Sequence, residues 1–205
     1  MNEFDAEIGA AADVLARGGL IVYPTETVYG LGVDAGSHEA IARLLTVKGR
    51  TDGRGISILV PDLESAASWI DGGVPASARK LARLFWPGPL TLVLPASARV
   101  DRALVGPGGG VGLRVSADRA ATRLIDAFGA PITSTSANPS GGTAATDVMR
   151  AREYFADNVD FYVDDGRRAA SAVSSVVEFL DDRAYLRRVG AISAEILARH
   201  IELEH

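Results

Sequence analysis

The spacing of apolar residues along the chain predicts an alternation of helices and short buried strands. Residues 3–17 carry apolar side chains at helical spacing, including Ile8 and Leu15, and the glycine pair that follows ends this helix. The apolar run Leu20–Tyr23 then predicts a buried strand. Pro24 stops that strand, because proline has no backbone N–H to donate to a sheet.

Further helices are predicted where a capping side chain precedes a helical pattern. Ser37 begins a helix that carries Ile41 and Leu44 on one face, and Asp118 begins one that Gly129 ends. The other predicted helices are 62–70, 75–85, one capped by Thr146 and reaching Phe155, and one capped by Ser193. Short apolar runs predict further strands at 56–60, 90–94, 111–115, 130–135, 161–163, 176–180 and 185–188.

This alternation defines the fold class as α/β, with helices flanking a twisted sheet. The later strands have fewer helices between them, so a mixed sheet is expected rather than an all-parallel one. No repeat or linker interrupts the pattern, and residues 1–202 are expected to form a single domain. Residues 203–205 resemble the start of a purification tag and are left out of the functional reasoning.

Composition excludes several classes of protein and of chemistry. The 205 residues contain no cysteine, so disulfides, thiolate nucleophiles and zinc–thiolate sites are excluded. No apolar run is long enough to span a membrane, and the acidic N-terminus does not resemble a signal peptide, so a cytoplasmic protein without membrane contact is expected. A net charge of −5 argues against a general nucleic-acid binder.

Common catalytic motifs are also missing from the sequence. There is no phosphate loop of the G-x-x-x-x-G-K-[ST] type, no G-x-S-x-G nucleophile elbow and no H-E-x-x-H zinc motif. The histidines are His38, His200 and His205, so none is available as a base in the middle of the chain. An enzyme with this sequence therefore works mainly by positioning and electrostatics.

Two hydroxyl-rich segments are candidates for a ligand site. Tyr23–Gly32 follows a buried strand, where α/β sheets place ligands, although a turn whose hydroxyls bond their own backbone explains it equally well. Ser134–Thr143 also follows a strand, and its hydroxyl and amide groups can bind phosphate, ribose or an amino acid. The alternative for this second segment is a flexible loop, against which its Asn138-Pro139 pair argues.

Positive charge is placed at two further positions. Lys48, Arg50 and Arg54 lie within seven residues, a cluster that suits a polyphosphate. A helix end accounts for Lys48 but less well for the two arginines in the following loop. Arg114 lies in an apolar strand, where it either faces solvent at an edge or meets a buried anion. Phe85–Thr91 is interpreted as a structural turn.

In chain order, these segments resemble one known family. The motifs PTETVYGLG, KGR, FWPGPLT, GLR, TSANPSG, SSVV and RRVGA are similar to those of the YrdC-like threonylcarbamoyl-AMP synthases, over about residues 10–198. The resemblance implies a twisted α/β domain with a large open cavity. Longer members carry a second C-terminal domain, and this chain resembles the short, single-domain form.

The resemblance also implies a nucleotidyltransferase reaction and its partners. L-threonine and bicarbonate would give a carbamate that attacks the α-phosphate of ATP, forming threonylcarbamoyl-AMP and pyrophosphate. Mg²⁺ is expected with the ATP, without an identified protein ligand. Downstream threonylcarbamoyl-transferase proteins would then modify tRNA, and contact with tRNA or another RNA is an accompanying expectation.

Site residues follow from the resemblance, position by position. The residues implied to hold threonine are Thr27, Arg114, Ser134 and Ser174. Those implied to hold ATP are Arg50, Arg54, Ser136 and Arg188, with Lys48 and Arg50 as the catalytic pair near the phosphates. The sequence departs from many members at Thr51, at Arg54-Gly55-Ile56 and at Leu59, where proline, Asn-Pro-Leu and histidine are common.

Two other functions remain open at this stage. One is an RNA-binding module in ribosome assembly or tRNA maturation, which a local basic cavity would permit despite the negative net charge. The other is a related carbamoyl-adenylate enzyme with a different acceptor. The contacts to threonine separate this last alternative from the synthase.

Overall fold

A computed structural model describes residues 3–169 and 173–204, which form seven α-helices and one nine-stranded mixed sheet. The helices are α1 Glu3–Ala16, α2 His38–Lys48, α3 Leu63–Ala67, α4 Ala76–Phe85, α5 Arg119–Phe128, α6 Val148–Phe155 and α7 Ala194–Ala198. The strands are β1 Ile21–Pro24, β2 Tyr29–Gly32, β3 Ser57–Leu59, β4 Leu90–Pro95, β5 Gly110–Arg114, β6 Ile132–Ser136, β7 Phe161–Tyr162, β8 Ser175–Leu180 and β9 Arg183–Arg188.

Side-chain caps explain where most of the helices begin. Ser37, Asp118 and Ser193 each accept a backbone N–H from the first turn, as their positions in the sequence predict. The prediction of Thr146 as the cap of α6 is wrong. Asp147 has the extended backbone of a cap and accepts the N–H of Arg150, because its carboxylate reaches into the first turn.

The strand order is β7-β1-β2-β6-β3-β5-β4-β8-β9, with three parallel and five antiparallel neighbouring pairs. The predicted mixed sheet is therefore confirmed. The order brings the ends of strands that are far apart in sequence, such as β2, β5 and β8, to one region of the molecule, where the site described below lies.

Strand β2 corrects the sequence prediction, which treated Tyr29–Gly32 as part of a loop. It pairs with β1 on one side and β6 on the other. The ring of Tyr23 crosses its glycines, and a Cβ at Gly32 would lie 2.6 Å from Cε1 of that ring. The glycines therefore serve close packing across strands, whereas the sequence suggested a turn.

Helix α3 is shorter than predicted, ending at Ala67 instead of residue 70. Ile70 leaves the helix to form an isolated β-bridge with Ala96, and the carbonyl of Trp69 accepts the N–H of Ser97. These contacts come from residues more than 25 positions later in the chain, so helical spacing alone did not reveal them.

The core consists of two clusters of buried side chains. The smaller one joins α1 and α5 to β1, β3 and β6 and contains Leu59, and the larger one fills the rest of the molecule. Leu203 packs against the larger cluster, and Glu204 donates its N–H to Ala184. These contacts do not show whether residues 203–205 belong to a purification tag, so that assignment stays a prediction. His205 lies outside the described residues.

None of the helices in the described ranges has the length and hydropathy to cross a bilayer.

Candidate functional site

Strand ends and two loops surround a cavity of about 290 Å³. All nine residues that the sequence analysis singled out line this cavity: Thr27, Lys48, Arg50, Arg54, Arg114, Ser134, Ser136, Ser174 and Arg188. The structure thus brings the predicted residues together at one place, while the role of each remains a prediction.

The threonine pair after β1 forms a tight turn that also faces the cavity. Thr25 Oγ1 accepts the N–H groups of Thr27 and Val28 and donates to the carbonyl of Val28 at 2.7 Å. Thr27 Oγ1 lies 3.1 Å from Thr25 Oγ1 and is buried at the cavity wall. The turn interpretation is therefore confirmed for Thr25, and the same turn places Thr27 at the cavity wall, where its contact with a ligand stays a prediction.

Lys48 ends α2 and holds the loop after β6. Its ammonium donates to the carbonyl oxygens of Ser136 at 2.6 Å and Asn138 at 3.0 Å, and its own carbonyl accepts the N–H of Ser140. Burial, and secondarily the charge of Arg50, lowers the pKa of Lys48 to about 8. Lys48 is therefore a structural anchor of the cavity wall as well as a cation beside the cavity.

The loop after β6 is rigid, contrary to the flexible alternative. Asn138 Nδ2 donates to the carbonyl oxygens of Pro139 and Gly142, at 2.7 and 2.9 Å. Within the described part of the chain, the buried Asn138 Oδ1 has no hydrogen-bond partner. The loop thus places a fixed set of polar groups along the cavity.

The two arginines after α2 differ in their surroundings. Arg50 is mostly buried and donates to Asp52 at 3.1 Å, to Gly55 at 3.3 Å and to Thr135 at 3.4 Å. The Arg54 side chain is 79% exposed and lies 3.6 Å from Asp52. Desolvation raises the pKa of Asp52, but the Arg54 N–H and the nearby guanidinium groups outweigh it and hold that pKa below its usual range. Arg50 is therefore held by more contacts with the cavity wall than Arg54.

Arg114 is buried and pairs with the half-buried carboxylate of Glu26, so it does not face solvent at a sheet edge. It lies on an interior strand, and its Nη2 is 2.6 Å from Oε1 of Glu26. Its Nε donates to the carbonyl of Gly88 at 3.2 Å. The Phe85–Thr91 turn, interpreted from sequence as purely structural, therefore also orients this guanidinium.

The third group of polar residues lies where β8 begins and β9 ends. Arg188 donates to the carbonyl and to the hydroxyl of Ser174, at 2.9 and 3.0 Å. Ser174 Oγ is also 3.1 Å from Thr91 Oγ1. Burial, followed by repulsion from Arg114, lowers the pKa of Arg188. Two arginines thus approach this end of the cavity.

Several polar residues of the site were not predicted from the sequence, among them Thr91, Asn138 and Glu26. Thr91 and Asn138 line the cavity, and Glu26 lies behind Arg114. Each belongs to a motif that the analysis quoted, but no local pattern distinguishes a side chain that faces a cavity from one that faces the core. A carboxylate after a buried strand was the available signal for Glu26.

The charge of the cavity is opposite in sign to that of the chain. Of the described residues that line it, five are basic and one, Asp52, is acidic, while the chain as a whole carries −5. Residues 3–169 and 173–204 contain no group of three or more His, Cys, Asp or Glu side chains that could hold a metal ion. The cavity is therefore suited to anionic ligands.

Comparison with protein families and curated sequences gives consistent matches. The family described as "Sua5_yciO_yrdC: Telomere recombination" matches residues 13–190. A threonylcarbamoyl-AMP synthase of Halorhodospira halophila is 38% identical over 178 residues, which is 87% of this chain and 92% of that protein. A threonylcarbamoyl-AMP synthase of Pyrococcus abyssi is 34% identical over 95% of this chain, which spans only 57% of that longer relative.

Solved structures agree with these sequence matches. The P. abyssi Sua5 structure complexed with L-threonine superposes with a TM-score of 0.91 and 32% identity, covering 98% of this chain and 59% of that one. The structure of E. coli YciO superposes with a TM-score of 0.82 and 26% identity, covering 92% of this chain and 91% of that one. The predicted fold is confirmed by both.

Proposed function

The chain belongs to the Sua5/YciO/YrdC family, and from this premise we propose that it makes threonylcarbamoyl-AMP from L-threonine, bicarbonate and ATP. The observation that carries the proposal is the similarity, over 98% of this chain, to a Sua5 structure complexed with L-threonine. The curated relatives named for this activity support it, as does a cavity lined by cations and hydroxyl groups.

The proposed chemistry fits a site without a histidine. The amine of threonine joins bicarbonate with loss of water, giving a carbamate that is already an anion. A carbamate oxygen then attacks the α-phosphorus of ATP, the bond from that phosphorus to the bridging oxygen breaks, and pyrophosphate leaves. The protein has to neutralise charge on the phosphates and align the reactants, which arginine and lysine side chains do.

At the amino-acid end, we assign Arg114 to the carboxylate of threonine. Thr27, Ser134 and Ser174 supply neutral hydrogen-bonding groups around it. Two features support the assignment: Arg114 is almost fully buried, and its guanidinium is fixed by Gly88 and Glu26. A buried, oriented guanidinium suits recognition of a planar carboxylate.

At the nucleotide end, we assign Arg50, Ser136 and Arg188 to ATP, with Lys48 beside the phosphates. Arg50 is the main phosphate ligand in this proposal, because its side chain is held by three groups of the cavity wall. Arg54 contributes less, since most of its side chain is in solvent.

Mg²⁺ is proposed to enter with ATP and not at a site built by the protein. Asp52 is the one carboxylate among the described cavity-lining residues, and its oxygens already face Arg50 and Arg54. The donors present therefore do not form a magnesium site, and phosphate oxygens and water would supply the ligands.

We place the enzyme among the nucleotidyltransferases, because an adenylyl group moves to the carbamate. We further propose a cytoplasmic location, downstream threonylcarbamoyl-transferase proteins as acceptors of the product, and contact with tRNA through them. Residues 1–202 are proposed to act as one domain.

The test is to incubate the protein with ATP, Mg²⁺, bicarbonate and L-threonine and to measure pyrophosphate, with threonylcarbamoyl-AMP identified by mass spectrometry. Reactions without threonine, without bicarbonate or with glycine in place of threonine are the controls. Pyrophosphate release that does not depend on threonine would refute the proposal. Salt-sensitive RNA binding without turnover would support the RNA-binding alternative instead.

A further inference from the structure

Glu26 is a half-buried carboxylate that lies directly behind the amino-acid end of the cavity. Its Oε1 is 2.6 Å from Nη2 of Arg114, yet Glu26 is not among the residues that line the cavity. The chain therefore holds a carboxylate against the far side of the arginine that the proposed function assigns to the substrate's carboxylate.

The contacts of Arg114 show which part of its guanidinium is left for a ligand. Nε donates to the Gly88 carbonyl, and Nη2 forms an ion pair with Glu26, although among the described residues this buried nitrogen has no partner with hydrogen-bond geometry. Among the described residues, no hydrogen-bond partner is found for Nη1, and Arg114 lines the cavity. A guanidinium held by a hydrogen bond at Nε and by an ion pair at Nη2 leaves Nη1 as the nitrogen available to a ligand.

Glu26 is itself held by the start of α5, so it cannot follow a ligand into the cavity. Its Oε2 accepts the hydroxyl of Ser116 at 2.6 Å, and its Oε1 accepts the N–H of Ala117 at 3.4 Å. Ser116 Oγ also accepts the N–H of Asp118, the residue that caps α5. A carboxylate bound at both oxygens keeps its position when the cavity fills.

We propose that Glu26 is a positioning residue, which holds Arg114 so that Nη1 faces the cavity as the receptor for the carboxylate of an α-amino acid. This inference rests on the proposed function and deepens it. Glu26 acts through its contact with Nη2 of Arg114.

Two variants separate the contribution of the Glu26 contact with Arg114 from that of the Glu26 charge. Glu26→Gln keeps an oxygen at the distance of Oε1 and removes the charge. Glu26→Asp keeps the charge and withdraws the oxygens by one methylene group. Glu178→Asp is the matched control, because Glu178 also lies 2.6 Å from an arginine and is similarly buried, at 13% against 18% exposure. Its partner Arg187, unlike Arg114, does not line the cavity.

The readouts are calorimetric binding of L-threonine and of ATP, together with the melting temperature of each variant. We expect Glu26→Asp to weaken threonine binding by about tenfold or more. Glu26→Gln, which keeps the oxygen in place, should weaken threonine binding less than Glu26→Asp, and ATP affinity should be unchanged in both. The control variant should bind both ligands normally.

Three results would overturn the inference. They are unchanged threonine affinity in Glu26→Asp, a greater loss in Glu26→Gln than in Glu26→Asp, and parallel losses of threonine and ATP affinity with a lower melting temperature. If the wild-type protein neither binds threonine nor releases pyrophosphate in response to it, the proposed function is refuted. The inference about Glu26 is then refuted too, because it rests on that function. Binding and turnover in the wild type with full threonine affinity in Glu26→Asp would refute the inference alone.

Discussion

Replacing Lys48 with methionine tests the double role that the structure gives this residue. Methionine has a similar length and is apolar, so it fills the same space without donating hydrogen bonds. The substitution removes the bonds to the carbonyl oxygens of Ser136 and Asn138 and the cation beside the proposed phosphate site. Stability and nucleotide binding should therefore respond differently.

The expected effect on stability is small, because two contributions oppose each other. Two carbonyl oxygens that lose their donor cost about 1–3 kcal/mol each, or about 2–6 kcal/mol together. Burial of the charged ammonium lowers the pKa of Lys48 from 10.5 to about 8, which corresponds to about 3 kcal/mol that the variant recovers at neutral pH. The net effect at pH 7 then lies between a stabilisation of about 1 kcal/mol and a destabilisation of about 3 kcal/mol.

The expected effect on ATP binding is larger and depends on pH. Losing one hydrogen bond between a cation and a phosphate costs about 1.5–3 kcal/mol, or about 10- to 150-fold in affinity. In the wild type, Lys48 loses its proton as the pH rises through about 8, whereas phosphate groups are already ionised above about pH 7. Wild-type ATP affinity should therefore fall between pH 7 and 9, and that of the variant should change much less.

The stability of the folded protein changes with pH in the direction opposite to the ATP affinity. In the unfolded chain Lys48 keeps its proton up to its ordinary pKa of 10.5, so between about pH 8 and 10.5 the unfolded state binds more protons than the folded state. The stability of the wild type relative to Lys48→Met should accordingly increase with pH across this interval. Urea unfolding of both proteins at pH 7 and pH 9 measures it.

The assay is titration calorimetry with ATP at several pH values, with Lys80→Met as the control. Lys80 is the other lysine of the sequence, exposed on α4, and its Nζ donates to the carbonyl of His200 away from the cavity. The control should keep wild-type affinity and pH dependence. Equal ATP affinity of Lys48→Met and wild type at pH 7, or parallel pH profiles, would refute the reasoning.

Three further substitutions address other parts of the cavity. Arg50→Ala should weaken ATP binding by about 10- to 150-fold with little change in melting temperature, and unfolding with normal turnover per folded molecule would contradict its role. Arg54→Ala should change the KM for ATP by only about twofold to fivefold, because its side chain is 79% exposed; a complete loss of pyrophosphate release would show otherwise. Gly190→Ala should lower the melting temperature and abolish threonine binding, since its Cβ would lie 2.1 Å from the carbonyl oxygen of Val173, beside the cavity. Normal threonine affinity in this last variant would disprove the clash.

Local patterns in the sequence were sufficient for most of the secondary structure. Ser37, Asp118 and Gly129 mark helix ends through contacts with residues at most four positions away, which is why the sequence alone locates them. Strand β2 was missed for the opposite reason. Its glycines suggest a turn, and its true partners, β1 and β6, include residues about one hundred positions away.

In the candidate site, too, local motifs were sufficient for some features and long-range contacts decided the others. Ordered motifs identified nine residues that line one cavity, and the cations among them predicted an anionic ligand. The motifs could not show that Lys48 holds the loop after β6, that the Phe85–Thr91 turn orients Arg114, or that Glu26 lies behind that arginine.

The sequence by itself therefore determined the fold class, most of the helix ends and nine of the residues that line the cavity. The tertiary structure decided what each of those side chains contacts. Hydrogen bonds such as those from Lys48 to Ser136 and from Arg114 to Gly88 join segments 88 and 26 residues apart. Such contacts depend on how the strands are ordered in the sheet, which no local pattern of apolar and polar residues encodes.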